Sequence, residues 1–443
     1  VESGLTLLKE GDALADKGET TEAEIRYQKA MEKLLPGLRR LPFKTEVKRD
    51  VTPREKIRDY IAKELDEEST PEEQRAEELA MKTFGLLPQK LDLRETMLKL
   101  YTEEVGAFYD PKTDTMHLIL ENGPGRKPGL LEVLLGRKAG FNKDETKITI
   151  AHELAHALAD QHFDLDEIQA ALKENEDRSL AFSALVEGEA TLVMMGASLE
   201  DWTGEATVLL PAEQLGRTFT LMMPLLRFAG GASLRSAPPI LSESMLFPYL
   251  RGLVFCTRLA NDEGWKGIDR AYARLPLSTE QILHPEKYAA EPDLPMEIDL
   301  GALEPGEAWK ELTRNVLGEF QIGVLLRAHK GRDAAAGWDG DRYAVFEGSD
   351  GALGLIWFTT WDSEADAREF LRSIARYQVK RFEAPAPLDD DFDALSITDG
   401  NRTHELLRRG NDVVVVQGFP KETARALLES ALKSTKRELS YPD

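Results

Sequence analysis

The chain has 443 residues, 42% of them hydrophobic, which suffices for globular folding but is too long for one ordinary core, so two or three domains are expected. Its 79 acidic against 56 basic residues give a formal charge of −23, which excludes a nucleic-acid partner because a phosphate backbone would be repelled over most of the surface. The single cysteine, Cys256, excludes an internal disulfide framework and any site built from several thiolates.

Apolar runs such as Leu221 to Leu226 and Met245 to Phe255 are interrupted by Pro224, Pro248 and Arg251 and fall short of a membrane span. The chain starts at Val1 rather than Met, so removal of an N-terminal segment is expected. An extracytoplasmic place (periplasmic, secreted, or anchored through the removed segment) is expected slightly ahead of a cytoplasmic one.

Residues 1–50 read as a helical hairpin, two helices between Gly4 and about Arg40 with a turn at Lys17-Gly18-Glu19. Ala23, Tyr27 and Ala30 stand 12, 16 and 19 residues after Gly11, the spacing of small and aromatic positions in a tetratricopeptide unit, which the segment resembles. An ordinary helical hairpin accounts for the same residues. One unit cannot form the concave groove of an array, so its expected role is to pack on the next domain.

From Thr52 to about Ala80 a highly charged stretch predicts a solvated helix pair, and Leu91 to Tyr101 a further helix. The period then changes. Gly106 to Leu120 reads as a strand, an Asp110-Pro111 turn and a second strand. The Gly- and Pro-rich loop from Asn122 to Gly129 would rim a cleft or serve as a plain connector.

Ile150-Ala151-His152-Glu153-Leu154-Ala155-His156-Ala157-Leu158 carries the chemistry. On a helix over Thr149 to Leu158, residues four apart stack one above the other, so His152 and His156 project to a shared point. Glu153 turns about 100° further round the axis and faces a metal-bound water without ligating, which is where a general base belongs. An uncharged frame surrounds the three, and Asn142-Lys143-Asp144-Glu145 supplies a capping-box pattern before them. The motif reads as the metal-binding helix of a zinc hydrolase.

A catalytic zinc needs a third protein ligand and one open position. His162 stands ten residues after His152, the metzincin spacing, but the glycine of that pattern is Ala159 here. If the helix continues, His162 lies about 240° round from His156 and faces away. Glu187 and Glu189 are the alternatives, two carboxylates in an apolar helix from about Arg178 to Gly196; a buried carboxylate is costly unless paired or metal-bound. Glu189 stands about 200° round from Glu187, so the two do not face the same point.

The segment from Leu185 to Thr191 resembles the Glu-x-x-x-Asp helix of gluzincins, the thermolysin-like branch of the zincins, in which the glutamate is the third ligand. Glu187 matches that glutamate, whereas Thr191 stands where the aspartate would be. Asp160, one turn past His156, is then the expected orienting partner of a histidine. Together with Asp160-Gln161-His162-Phe163 and the stretch from Ser278 to Tyr288, the motifs are similar to those of uncharacterised bacterial proteins grouped as metallopeptidases, over about residues 95 to 290. The resemblance implies Zn2+ as cofactor, a peptide or protein substrate, and a hairpin before the metal helix whose edge holds extended substrate.

An oxyanion donor is also needed. His284, Tyr288, Tyr249 and Arg251 have suitable chemistry, and His284 is ranked first because Pro285 restricts its backbone.

Past Glu291 to Pro295 the character changes. Ala367 to Ser373 matches Ala424 to Ser430 at an offset of 57, each after two predicted strands (Arg342 to Glu347 and Leu355 to Thr359; Thr403 to Arg408 and Val413 to Gln417). Two strand-strand-helix units predict an antiparallel sheet with helices on one face, similar to ferredoxin-like sandwiches. The expected fold is α+β: a helical hairpin (1–50), a mostly helical zincin-like metallopeptidase domain with a small sheet (51–300), and a ferredoxin-like domain with duplicated units (301–443). The expected function is a zinc metallopeptidase; the rival is a non-catalytic binding or assembly protein whose zinc is structural or occluded, and a third possibility is an enzyme kept latent by a domain laid over its site.

Overall fold

The computed structural model describes residues 1–120, 142–218, 221, 232–289, 291–327, 331–385 and 391–441. The loop from Asn122 to Gly129 lies outside the described residues, as does most of the run from Leu221 to Leu226. The fold is mixed α+β, 57% helix and 18% strand.

Helices α1 (Glu2–Ala15) and α2 (Thr20–Arg39) form the N-terminal hairpin. It is not a separate body. Ala23, Tyr27, Ala30, Leu34 and Leu38 are buried in the same core as Ile150, Ala151 and Leu154 of the metal-motif helix. Gly11 permits the closeness of α1 and α2, since a Cβ there would meet Tyr27 Cε1 at 2.5 Å.

The charged stretch contains more than a helix pair. Strand β1 (Lys48–Pro53) precedes α3 (Arg54–Glu68) and α4 (Pro71–Phe84), and α5 (Leu93–Glu104) follows. Strand β1 carries little alternation, and its partner supplies the order: it pairs in parallel with β3 (Thr115–Leu120), which pairs antiparallel with β2 (Ala107–Asp110). In the order β1-β3-β2, β2 is an edge strand among the described residues.

Two long helices fill the middle of the chain: α6 (Lys143–Phe163), followed by the short α7 (Leu165–Leu172), and α8 (Glu176–Ser198). Asn142 caps α6 by accepting from the Asp144 N–H at 3.0 Å. Its amide in turn meets the Glu145 carboxylate at 3.2 Å, a local variant of the expected capping box. Helix α8 is apolar and long enough to cross a membrane by length and composition, yet 72% of the qualifying window is buried inside the fold. Beyond the short α9 (Ala232–Ser236), α10 (Pro239–Glu263) runs against α8, and α11 (Trp265–Ala273) and α12 (Thr279–Leu283) complete this part. Strand β4 (Met296–Asp299) pairs with the last strand, β11 (Thr435–Glu438).

The C-terminal domain corrects the ferredoxin-like expectation. Strands β5 (Trp309–Asn315), β6 (Trp338–Gly348), β7 (Leu353–Trp361), β8 (Ala394–Asp399), β9 (Arg402–Arg409) and β10 (Asp412–Phe419) form one antiparallel sheet in the order β5-β6-β7-β10-β9-β8. Helix α13 (Gly318–Leu326) links β5 to β6, α14 (Glu364–Arg381) follows β7 and α15 (Lys421–Ala431) follows β10. Each repeat therefore holds three strands, not two. The added strands β5 and β8 lie at the edges, β5 mostly half-buried and β8 mostly exposed, and neither sequence shows the regular apolar alternation that marks a strand with one buried face. The helices also take opposite faces: α14 packs with Tyr343, Val345, Leu355, Trp357, Val413 and Val415, and α15 with Ala344, Phe346, Ile356, Phe358, Val414 and Val416. Neighbouring strand residues alternate between two cores, so the sheet is covered on both sides.

This domain grips the end of α4. Phe84 inserts edge-on between Tyr343 and Trp357, at 5.1 and 5.2 Å between ring centroids. The last carbonyls of α4, orphaned by the helix end, accept from Arg381 (Lys82 at 3.1 Å, Thr83 at 2.7 Å), Gln417 (Thr83 at 2.9 Å) and Tyr377 (Phe84 at 2.6 Å).

At the start of α8 the buried Asp177 carboxylate accepts from the Thr279 hydroxyl and backbone N–H. Burial pushes Asp177 up to about 8 despite those donors. An unfolded aspartate titrates near about 3.9, so this group's contribution to stability is complete below that pH and is lost as pH rises toward 8. Asp177→Asn is therefore expected to flatten the fall in the urea midpoint between pH 5 and pH 8; an identical slope in both proteins would contradict it.

Candidate metal centre

Helix α6 delivers two imidazoles and α8 one carboxylate to a single point. His152 Nε2 and His156 Nε2 lie 3.1 Å apart, His152 Nε2 is 3.2 Å from Glu187 Oε2, and His156 Nε2 is 3.4 Å from the same oxygen. Ligands about 2.05 Å from a tetrahedral zinc stand about 3.3 Å from one another. The three atoms thus have the spacing of one face of such a tetrahedron, and the donor set of two imidazoles and a carboxylate suits zinc.

The electrostatics point the same way. Burial alone would raise the Glu187 carboxyl, but the His156 and His152 imidazoles hold it far below the ordinary carboxylate range. His156, which burial would lower, is held up to about 9 by Glu187. A divalent ion bound there requires both imidazoles to be neutral.

Glu153 is 3% exposed on the same helix. Burial raises its pKa, the His152 and His156 imidazoles lower it, and the Glu187 carboxylate raises it again. The Tyr109 backbone N–H donates to it, bringing β2 alongside α6.

Tyr249 comes from α10. Its ring stacks on His152 with centroids 6.0 Å apart, and burial with the Glu187 and Glu153 carboxylates raises its hydroxyl well above the usual phenol value. The closeness of α8 and α10 places it there: a Cβ on Gly188 would meet the Gly252 carbonyl carbon at 2.2 Å, and one on Gly252 would meet the Ala184 oxygen at 1.9 Å. Two glycines inside helices, each disfavoured there by roughly 0.5–1 kcal/mol, are the sequence signal for that contact.

Residues 307–428 match a domain of unknown function, DUF8575. The match covers β5 through most of α15 and leaves the metal centre outside it. No curated protein and no solved structure matches the chain.

Several expected residues take other positions. His284, expected as the oxyanion donor, ends α12 at the seam with the DUF8575 segment, where its Nε2 lies 2.9 Å from Glu319 and its Nδ1 3.8 Å from Glu286. The bond to Glu319, outweighing burial, raises the His284 pKa. Tyr288 donates to the Arg274 carbonyl at 2.6 Å. His162 lies 2.8 Å from the Pro42 carbonyl, away from the centre.

Asp160, expected to orient a histidine, instead accepts from the Tyr109 hydroxyl at 2.9 Å and the Leu165 N–H at 3.0 Å, so it anchors β2 and the start of α7. His152 Nδ1 and Thr191 Oγ1 are both buried without a hydrogen-bond partner. Glu189 turns to the hairpin, paired with the fully buried Arg39 and bonded by the Tyr272 hydroxyl. A second acidic group, Glu280, Asp293 and Asp362, already surrounds a cation: Lys287 Nζ lies 2.6, 2.7 and 2.7 Å from the three.

Proposed function

We propose that the chain is a zinc-dependent metallopeptidase with a zincin-like catalytic region of the gluzincin type. The observation that carries this is the mutual spacing of His152, His156 and Glu187 at 3.1 to 3.4 Å, with a buried carboxylate beside them. When bound, zinc would act as a Lewis acid and lower the pKa of a water to about 7. Glu153 then removes the proton of the attacking water and passes it to the leaving amine, the work of a general base followed by a general acid. The Tyr249 hydroxyl, adjacent to Glu187, donates to the oxygen that gains charge as the peptide carbonyl is attacked. The edge of β2, an edge strand among the described residues and tied to α6 through Tyr109, can hold an extended peptide by strand addition.

A structural zinc is normally closed by four protein ligands, whereas among the described residues this group numbers three. That favours an open site over the non-catalytic alternative. Zinc analysis paired with a peptide-library digest tests the reading. One zinc per chain, cleavage abolished by chelation and restored by zinc are expected; cleavage that persists in metal-free protein would contradict it.

A further inference from the structure

Through one short helix the DUF8575 segment reaches α8, which carries Glu187, and α10, which carries Tyr249. At its start, α13 is held from two sides. Asp341 accepts the Leu317 and Gly318 N–H groups at 3.0 and 2.9 Å, and Thr279 Oγ1, itself bonded to Asp177 in the first turn of α8, accepts the Phe320 N–H at 3.2 Å. Gly318, at φ +71°, leaves the room that the Asp177 carboxylate fills.

Helix α13 also reaches α10, from its first turn and from just past its end. The Phe320 ring packs on Phe247 with centroids 4.2 Å apart, and Arg327, just past the helix, clamps the Glu243 carboxylate with both terminal guanidinium nitrogens. Glu243 is 2% exposed, and a charge buried to that degree needs its partner.

Glu243 and Phe247 stand one turn apart, both on the N-terminal side of Pro248, which lies inside α10. Proline has no N–H for the Ser244 carbonyl, and its ring crowds that turn, so the helix ladder is interrupted there. Tyr249 is the next residue. Beyond it, Gly252 fixes the second half of α10 against Ala184 of α8. The two halves are therefore held by different neighbours, with the joint immediately before Tyr249.

Building on the metallopeptidase reading above, we propose that Arg327 and Glu243 are positioning residues: by locking the first half of α10 to the DUF8575 segment they set the reach of the Tyr249 hydroxyl over the metal centre. Bidentate geometry matters, since a lysine at 327 keeps the charge but not the planar fork.

The test uses the full zinc-loaded chain labelled with 3-fluorotyrosine, the Tyr249 resonance being identified by its absence in Tyr249→Phe. Arg327→Lys is expected to shift that resonance while zinc content stays at the wild-type level. It should also lower kcat about tenfold with KM nearly unchanged, and add no further loss in a Tyr249→Phe background. Glu243→Gln, which keeps the shape and removes the charge, should do the same if Arg327→Lys fails to fold. An unmoved Tyr249 resonance overturns the proposal, and so does an equal kcat loss with and without the Tyr249 hydroxyl. If the wild type binds zinc but cleaves nothing, the peptidase reading falls while the resonance still decides this one.

Discussion

Glu153→Gln is expected to bind one zinc per chain, as the wild type does, and to lose about 10²- to 10⁴-fold in kcat with little change in KM. The three ligand atoms come from His152, His156 and Glu187, and the amide replaces the carboxylate without a change of volume. What it cannot do is accept a proton. Its site is buried, so bulk water has little room to substitute. Metal analysis and steady-state kinetics on the same preparation check this. Cleavage at the wild-type rate would remove Glu153 from the chemistry; loss of zinc together with activity would instead show that it ligates.

Arg39→Met is expected to destabilise the protein by about 3–5 kcal/mol in urea unfolding, because it leaves Glu189 charged and unpaired in the core. Arg39 is fully buried, meets both Glu189 and Asp269, the latter at 2.7 Å, and lies over Trp265 at 5.1 Å from the ring centroid. Glu189 sits two residues from Glu187, so the hairpin is tied to the same helix that carries the candidate third ligand. The double variant Arg39→Met, Glu189→Met should recover most of the loss, since replacing both members of a buried pair by apolar groups is often neutral. A single-variant effect below about 1 kcal/mol, the value ordinary for an exposed pair, would show that the hairpin is an appendage.

What the sequence displayed was periodicity and short-range spacing. The approach of His152 and His156 followed from a four-residue interval on one helix, Glu187 and Glu189 stood out as carboxylates in an apolar helical run, and the gluzincin resemblance chose Glu187. The antiparallel hairpin of β2 and β3 and the central strand pairs of the C-terminal sheet were equally legible, because their side chains alternate or are wholly apolar. Three other edge strands were not. β1, β5 and β8 owe their order to a neighbouring strand rather than to their own residues.

Long-range partners were also hidden. Arg39 meets Glu189 across 150 residues and Arg327 meets Glu243 across 84, and no local pattern announces either pairing. Tyr249 stood among four candidates because its place depends on how α10 crosses α8. Only the glycines at 188 and 252 hinted at that crossing. His284 was ranked first on the rigidity of its backbone, a property that says nothing of which wall it faces.

The central claim is that His152, His156 and Glu187 share one zinc with a position left for water. Anomalous diffraction at the zinc edge from a zinc-loaded crystal tests it most directly. The account predicts a peak roughly 2.0–2.2 Å from both Nε2 atoms and from a Glu187 carboxylate oxygen, with solvent as the fourth neighbour. No peak between the three side chains, or a fourth ligand supplied by the protein, would contradict it.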